Sequence, residues 1–242
     1  MQQLRAVSPT VVQLSGVTRQ YRLGKTLIPA LRGVTVDFQR GEFTAIAGPS
    51  GSGKTTLLNI IGCIDKPDAG RVVVDGSDIT EQPLHRLAGL RNRHFGYVFQ
   101  TFNLIPVLTA YENVELPLLL GGTPRAQRRQ RVEAMLEQVG LTTHRRHRPN
   151  ELSGGQRQRV AIARALVTAP LAVLADEPTA NLDSRTAAEI IALMSALNET
   201  EGVTFVFSTH DPRIISQARR VVSIADGLVQ EEAMRRLMAS GE

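Results

Sequence analysis

Apolar residues fall in short runs along this chain, and their spacing separates two kinds of element. Strand-like runs occupy Val11 to Leu14, Thr35 to Phe38, Phe43 to Ala47, Val72 to Val74, Tyr97 to Phe99, Leu171 to Leu174, Val203 to Ser208 and Val221 to Ile224. Leu171 to Leu174 and, apart from Thr204, Val203 to Phe207 are apolar at successive positions rather than at alternate ones, which suits a sheet covered on both faces. Helix-like segments at Thr55 to Ile61, Arg185 to Leu197 and Pro212 to Ala218 lie between or after these strands, and together they predict an α/β core with mainly parallel strands.

Between about Leu84 and Thr168 the strand signal fades. Helical patterns at Pro83 to Asn92, Pro124 to Val139 (apolar at Val132, Met135, Leu136 and Val139) and Gly155 to Leu166 predict an inserted helical subdomain over about 84–168, with the core formed by about 1–83 and 169–242 of a single unit 1–242. Helices are expected to stop at Gly140 and Pro170, and Pro106, Pro117, Gly121 and Gly122 to mark loops.

With 242 residues, 42% of them apolar, the chain is long enough to bury one large core. No run approaches the roughly 20 apolar residues of a spanning helix. The best candidate, Ala165 to Ala175, is broken by Pro170 and bounded by Arg164 and Asp176. Met1 to Gly16 carries no basic start followed by an apolar core, so cytoplasmic residence is expected. The single cysteine, Cys63, cannot form an intrachain disulfide, which fits a reducing compartment. The net charge of +5 comes almost entirely from arginine and points only weakly to nucleic acid, since Lys25, Lys54 and Lys66 are the only lysines. The clusters Arg125, Arg128, Arg129, Arg131 and Arg145, Arg146, Arg148 read as a solvated face ahead of a lipid-headgroup contact.

The chemistry begins at Gly48-Pro49-Ser50-Gly51-Ser52-Gly53-Lys54-Thr55, which follows the strand Phe43 to Ala47 and runs into a helix through Thr55 and Thr56. Glycines at this spacing let backbone amides turn inward around phosphate oxygens, and the helix N-terminus favours a bound anion. Lys54 is the expected partner of the β and γ phosphates, and the Thr55 hydroxyl that of Mg2+. A second candidate is Asp176-Glu177, at the end of an apolar strand. Neighbouring strand residues point to opposite sides, so Asp176 can serve the metal while Glu177 acts as general base on an attacking water. The alternative is a strand terminus with solvated acids ahead of a turn at Pro178.

Leu152-Ser153-Gly154-Gly155-Gln156, followed by Arg157 to Leu166, resembles the signature of ABC ATPases. Physics alone reads it as an anion-binding helix tip or a simple cap. The resemblance implies that this loop crosses a dimer interface to the γ-phosphate held by a second nucleotide-binding subunit, in all expectation another copy of the chain. It further implies ATP as the nucleotide, with Tyr21 stacking on adenine and Gln100 in the loop between core and helical subdomain, serving the metal. Asn181-Leu182-Asp183 would be a dimer-contacting loop, and His210 a switch histidine beside Glu177 and Lys54. The implied fold is a P-loop NTPase core with N-terminal antiparallel β elements. Phe102 to Val114 and Arg148 to Leu152 look like the lipoprotein-releasing, macrolide-efflux and cell-division branch. That branch pairs with an integral membrane permease bearing a large extracytoplasmic domain (FtsX- or MacB-like), placing this subunit peripherally on the inner face of the membrane. The loop Phe102 to Val114 is the expected contact. Gln156 departs from the residue common at the last signature position in that branch. A non-transporting pair that passes force to an envelope enzyme is the alternative. A nucleic-acid ATPase is disfavoured, since neither heptads nor a cysteine cluster occurs.

Overall fold

A long hairpin opens the structure, a computed structural model that describes residues 9–234. Strands β1 (Thr10–Leu23) and β2 (Thr26–Gln39) pair antiparallel over 14 residues each and reverse at Gly24, whose φ of 62° few other residues adopt. The expected runs Val11 to Leu14 and Thr35 to Phe38 cover only the buried end of this hairpin. Its outer half, Gln20 to Pro29, is exposed on both strands and so carries no burial pattern to read. β4 (Ala69–Val74) pairs antiparallel with β1, and β5 (Ser77–Asp78) with β4, giving a four-stranded sheet in the order β2-β1-β4-β5.

The second sheet has six strands. β3 (Phe43–Ala47), β6 (Phe95–Val98), β7 (Ala172–Asp176), β8 (Phe205–Thr209) and β9 (Arg220–Ala225) are parallel, and β10 (Leu228–Met234) joins β9 antiparallel, in the order β10-β9-β3-β8-β7-β6. Alternate residues feed two cores. Phe43, Val173, Phe205 and Phe207 face the helical layer, while Ile46, Leu174, Val206 and Val222 face the antiparallel sheet and α1 (Lys54–Ile61). The rings of Phe43 and Phe207 lie 4.6 Å apart, and truncating Phe43 to Ala would cost about 3–5 kcal/mol.

Helices α2 (Ala88–His94), α3 (Ala110–Leu120), α4 (Arg125–Gln138), α5 (Gly154–Leu166), α6 (Ser184–Glu201) and α7 (Pro212–Gln217) complete the fold. On α6, Ala187, Ile190, Ile191, Met194 and Leu197 form the buried stripe, and Asp183 caps its start by accepting from the Arg185 and Thr186 amides. Pro117, expected in a loop, lies inside α3. That helix starts at a Thr109–Glu112 capping box, and burial of Val114 and Leu118 on both sides of the proline outweighs the lost backbone donor. β6 overlaps the strand-like run expected at Tyr97 to Phe99, and although it lies within the 84–168 span it pairs along β7 as a strand of the main sheet. The helical layer proper runs from α3 to α5. The expected unit 1–242 extends at both ends beyond the described residues.

Candidate active site

The segment 48–53 leaves β3 and enters α1 through Gly53, whose φ is 105°. A β-carbon at Gly53 would sit 2.5 Å from the Ala30 carbonyl oxygen, and one at Gly48 would overlap the Ile224 carbonyl. Both positions therefore require glycine for close backbone approach. Ala30 marks a seam. The Arg32 amide donates to Gly227 O at 2.8 Å and the Gly227 amide to Ser52 O at 3.0 Å, so hairpin, loop and the β9–β10 turn are tied together.

Lys54 is only 8% exposed. Its ammonium donates to the carbonyls of Gly48 (2.8 Å) and Pro49 (2.9 Å) and forms no ion pair among the described residues. A buried cation compensated only by carbonyls is suited to an incoming anion. The Ser52 hydroxyl is likewise buried without a partner. Gly53 and Lys54 floor a cleft of about 590 Å³ whose walls include Tyr21, Thr55, Thr56, Gln100, Glu177 and His210, with Ser50 and Gly51 at its edge; Gly48, Pro49, Ser52 and Asp176 lie behind this lining.

Thr55 Oγ1 donates to Asp176 Oδ1 at 3.2 Å. This hard-oxygen pair with one carboxylate fits Mg2+, which keeps several waters and takes other ligands from phosphate. No cluster of three His, Cys, Asp or Glu among the described residues offers a self-sufficient cage. Next along the chain, Glu177 holds a left-handed φ of 46°. Its amide donates to Ser208 O at 2.8 Å, while its carboxylate accepts from Thr209 Oγ1 at 3.3 Å and meets His210 Nδ1 at 2.7 Å. β7 and β8 thus deliver the acid and its histidine side by side. Backbone strain of this kind persists only where surrounding contacts over-determine it.

Tyr21 comes from the other sheet. Its hydroxyl donates to Asp65 Oδ2 at 2.7 Å, and the Arg19 guanidinium lies 4.9 Å from the ring centroid. One ring face is thereby covered, and the residue lines the cleft. The Gln100 carbonyl accepts from Asn181 Nδ2 at 2.8 Å, tying this loop to the turn before α6.

Ser153, Gly154, Gly155, Gln156 and Asp183 do not line this cleft. Ser153 and Gln156 form a reciprocal capping box at the start of α5, with Gln156 N donating to Ser153 Oγ at 3.2 Å and Ser153 N to Gln156 Oε1 at 2.9 Å. Gly155 lies so close to α6 that a β-carbon would sit 2.5 Å from Thr186 Cγ2. Hydrogen bonds to the hydroxyl and amide of Thr186 and the amide of Arg185 hold the Asp183 carboxyl below its ordinary range. Three supporting residues escaped the sequence reading. Fully buried Gln158 donates to Pro178 O at 2.6 Å, Asn113 bonds Ile105, Leu108 and Thr109, and Asp211 accepts from Thr179. No sequence signal sets them apart: Gln158 lies between Arg157 and Arg159, Asp211 between His210 and Pro212, and Asn113 beside Glu112.

A phosphate-cradling loop on a parallel sheet, beside a strand-end carboxylate pair, defines a nucleotide hydrolase of the P-loop kind. Comparison with known proteins narrows the class. Residues 31–180 match the family model described as ABC transporter. An uncharacterized ABC transporter ATP-binding protein of Thermotoga maritima is 48% identical over 220 residues, which is 91% of this chain and 94% of that protein. The macrolide export ATP-binding/permease protein MacB of Syntrophobacter fumaroxidans is 47% identical over 92% of this chain, but the chain spans only 32% of that protein's length. The cassette MJ0796, solved as a dimer in a post-hydrolysis state bound to ADP and Pi, superposes with a TM-score of 0.85 at 45% identity, covering 94% of this chain and 100% of that one. The chain belongs to the ABC transporter family as an ATP-binding subunit and is an ABC-type ATPase.

Proposed function

We propose that two copies of this chain close head to tail around two ATP molecules, and that closure and release drive an integral membrane permease with a large extracytoplasmic domain. One observation carries this reading: Lys54, Thr55, Glu177 and His210 share a cleft, while the Ser153 helix tip stands outside it. A second copy supplies the missing wall by placing its Ser153 to Gln156 over the phosphates. The dimeric MJ0796 cassette bound to ADP and Pi supports the arrangement.

Within each half, Lys54 and the amides of 50–56 hold the phosphates, and Tyr21 offers its uncovered ring face to adenine. Thr55 and Asp176, with Gln100, hold Mg2+, which offsets phosphate charge when bound. Glu177 takes the proton of the attacking water, and His210 fixes the orientation of that carboxylate.

A groove of about 660 Å³ lies between α2, β6, the end of α3 and α5. Arg91, Arg93 and Arg164 line it, no acidic residue does so among the described residues, and Leu120 at its rim is 74% exposed. Arg164 donates to the carbonyls of Phe102 and Asn103, in the segment that follows Gln100. These features suit an amphipathic, acidic cytoplasmic helix of the permease, whose position would be felt at Gln100. No helix among the described residues is long and apolar enough to cross a membrane. A peripheral position on the cytoplasmic face, held through that partner, is part of the same proposal.

The test is oligomeric state. A Glu177→Gln chain is expected to elute as a dimer in ATP with Mg2+ and as a monomer in ADP. A monomer under both conditions overturns the head-to-tail reading.

A further inference from the structure

The residue after His210 is the centre of a clasp that the proposed chemistry does not use. Asp211 is 8% exposed, and its carboxylate accepts from the Arg213 amide (2.9 Å), Arg213 Nε (2.9 Å), Arg213 Nη2 (2.7 Å) and the Thr179 hydroxyl (2.8 Å). Thr179 stands two residues after Glu177. The Asp211 amide donates to Thr209 Oγ1 at 2.9 Å, the same hydroxyl that donates to Glu177. Arg213 Nη1 reaches Ser184 O at 3.1 Å, next to Asp183. Arg213 thus bonds the histidine segment at Asp211 and the start of α6 at Ser184, and Asp211 in turn holds the turn after Glu177 at Thr179. Arg213 is absent from the walls of the cleft.

We propose that Arg213 is a positioning residue: through Asp211 it locks Glu177 and His210 in their working orientation and ties them to the Asp183 turn. The strained φ of Glu177 needs such fixing, because the clasp closes the loop from Thr209 through Asp211 and Thr179 back to the glutamate. Hydrogen bonds from Arg213 hold the Asp211 carboxyl at about 2, so the clasp is charged and intact throughout any neutral assay. A planar fork serves the Asp211 carboxylate through Nε and Nη2 and the Ser184 carbonyl through Nη1 at once, which lysine cannot reproduce.

The inference rests on the assignment of Glu177 and His210 as the hydrolytic pair, so the experiment separates the two. Arg213→Gln keeps the backbone amide that Asp211 uses to cap α7 but removes the fork. ATP titration, thermal melting and steady-state hydrolysis are measured on the full chain, beside Glu177→Gln. The expected result for Arg213→Gln is a kcat lower by about tenfold or more, with KM for ATP and ATP affinity within about twofold. Arg213→Lys should fall between. Thr179→Val, which removes one clasp bond without changing shape, should lower kcat in the same way, and the double variant should be no worse than the weaker single. Unchanged kcat in Arg213→Gln beside an inactive Glu177→Gln overturns the inference alone. An active Glu177→Gln overturns the underlying assignment. A raised KM with normal kcat also overturns the inference, since it would move Arg213 to binding. Should Arg213→Gln fail to fold, Thr179→Val decides, and a normal kcat there rejects the clasp.

Discussion

His210 Nδ1 lies 2.7 Å from Glu177 Oε1, although 33 residues separate the two in sequence. The contact exists because β7 and β8 are parallel neighbours whose ends arrive at the same level, Asp176 opposite Ser208. A carboxylate held on one oxygen by histidine and on the other by Thr209 has little freedom to turn away from the cleft. Glu177→Gln should therefore retain ATP binding but lose roughly 10² to 10⁴ in turnover. Phosphate release by the pure variant measures this, and near-normal rates would remove Glu177 from its role.

Lys54 is held over the cleft floor by two carbonyls. Lys54→Ala should abolish measurable nucleotide affinity rather than slow turnover, because the charge that meets the phosphates is gone. Titration calorimetry is the check, and an ATP affinity equal to that of the parent chain contradicts the assignment.

Gly155 has no room for a methyl group beside Thr186 Cγ2. Gly155→Ala should shift α5 away from α6 and lower ATP-dependent dimer formation. The double change Gly155→Ala with Thr186→Ala, which removes the obstructing methyl, should recover it. Light scattering in ATP reads both, and equal dimer yield in the single variant would rule out the steric argument.

Burial pushes the Cys63 thiol up to about 12 from its ordinary value. In the native chain it should resist alkylation at pH 8 and react only after denaturation. The linkage has a definite sign. A group whose folded value lies above its unfolded one contributes stability that is complete below about pH 8.5, the unfolded thiol value. That contribution is lost as the pH climbs towards 12. Denaturant midpoints of the parent chain should fall over this alkaline range, and Cys63→Ala should show a weaker fall.

The groove beside α2 and α5 predicts a partner-specific loss. Arg93→Glu and Leu120→Asp alter exposed groove residues without touching the nucleotide cleft. Hydrolysis by the chain alone should be unaffected, while co-sedimentation with membranes from the native host should fall by about tenfold or more, since opposing charges are removed from a contact. Membrane recovery equal to the parent chain would place the permease elsewhere.

Much of this was legible from sequence because motif and context coincided. Gly48 to Thr55 had to follow a strand and open a helix, and Asp176-Glu177 had to end one; β3, α1 and β7 meet those conditions. The hairpin was underread because strand prediction relies on burial alternation, which Gln20 to Pro29 lacks. Pro117 misled for the opposite reason, since a local breaker was outweighed by tertiary burial of Val114 and Leu118. Asp211 and Arg213 could not be foreseen at all: their meaning lies in Thr179 and Ser184, distant in sequence and brought near only by folding.

The seam at Ala30 has a further consequence. Tyr21 lies on β1 of one sheet, while Lys54 opens α1 after β3 and Glu177 follows β7 of the other, and the contacts of Ala30 and Arg32 with Gly53 and Gly227 set the span between them. The hairpin thus works as a caliper. On the proposed reading it sets the distance from the adenine-stacking ring to the Lys54 ammonium, so a change in the register of β1 against β2 at Tyr21 and Ile28 would retune which nucleotides fit.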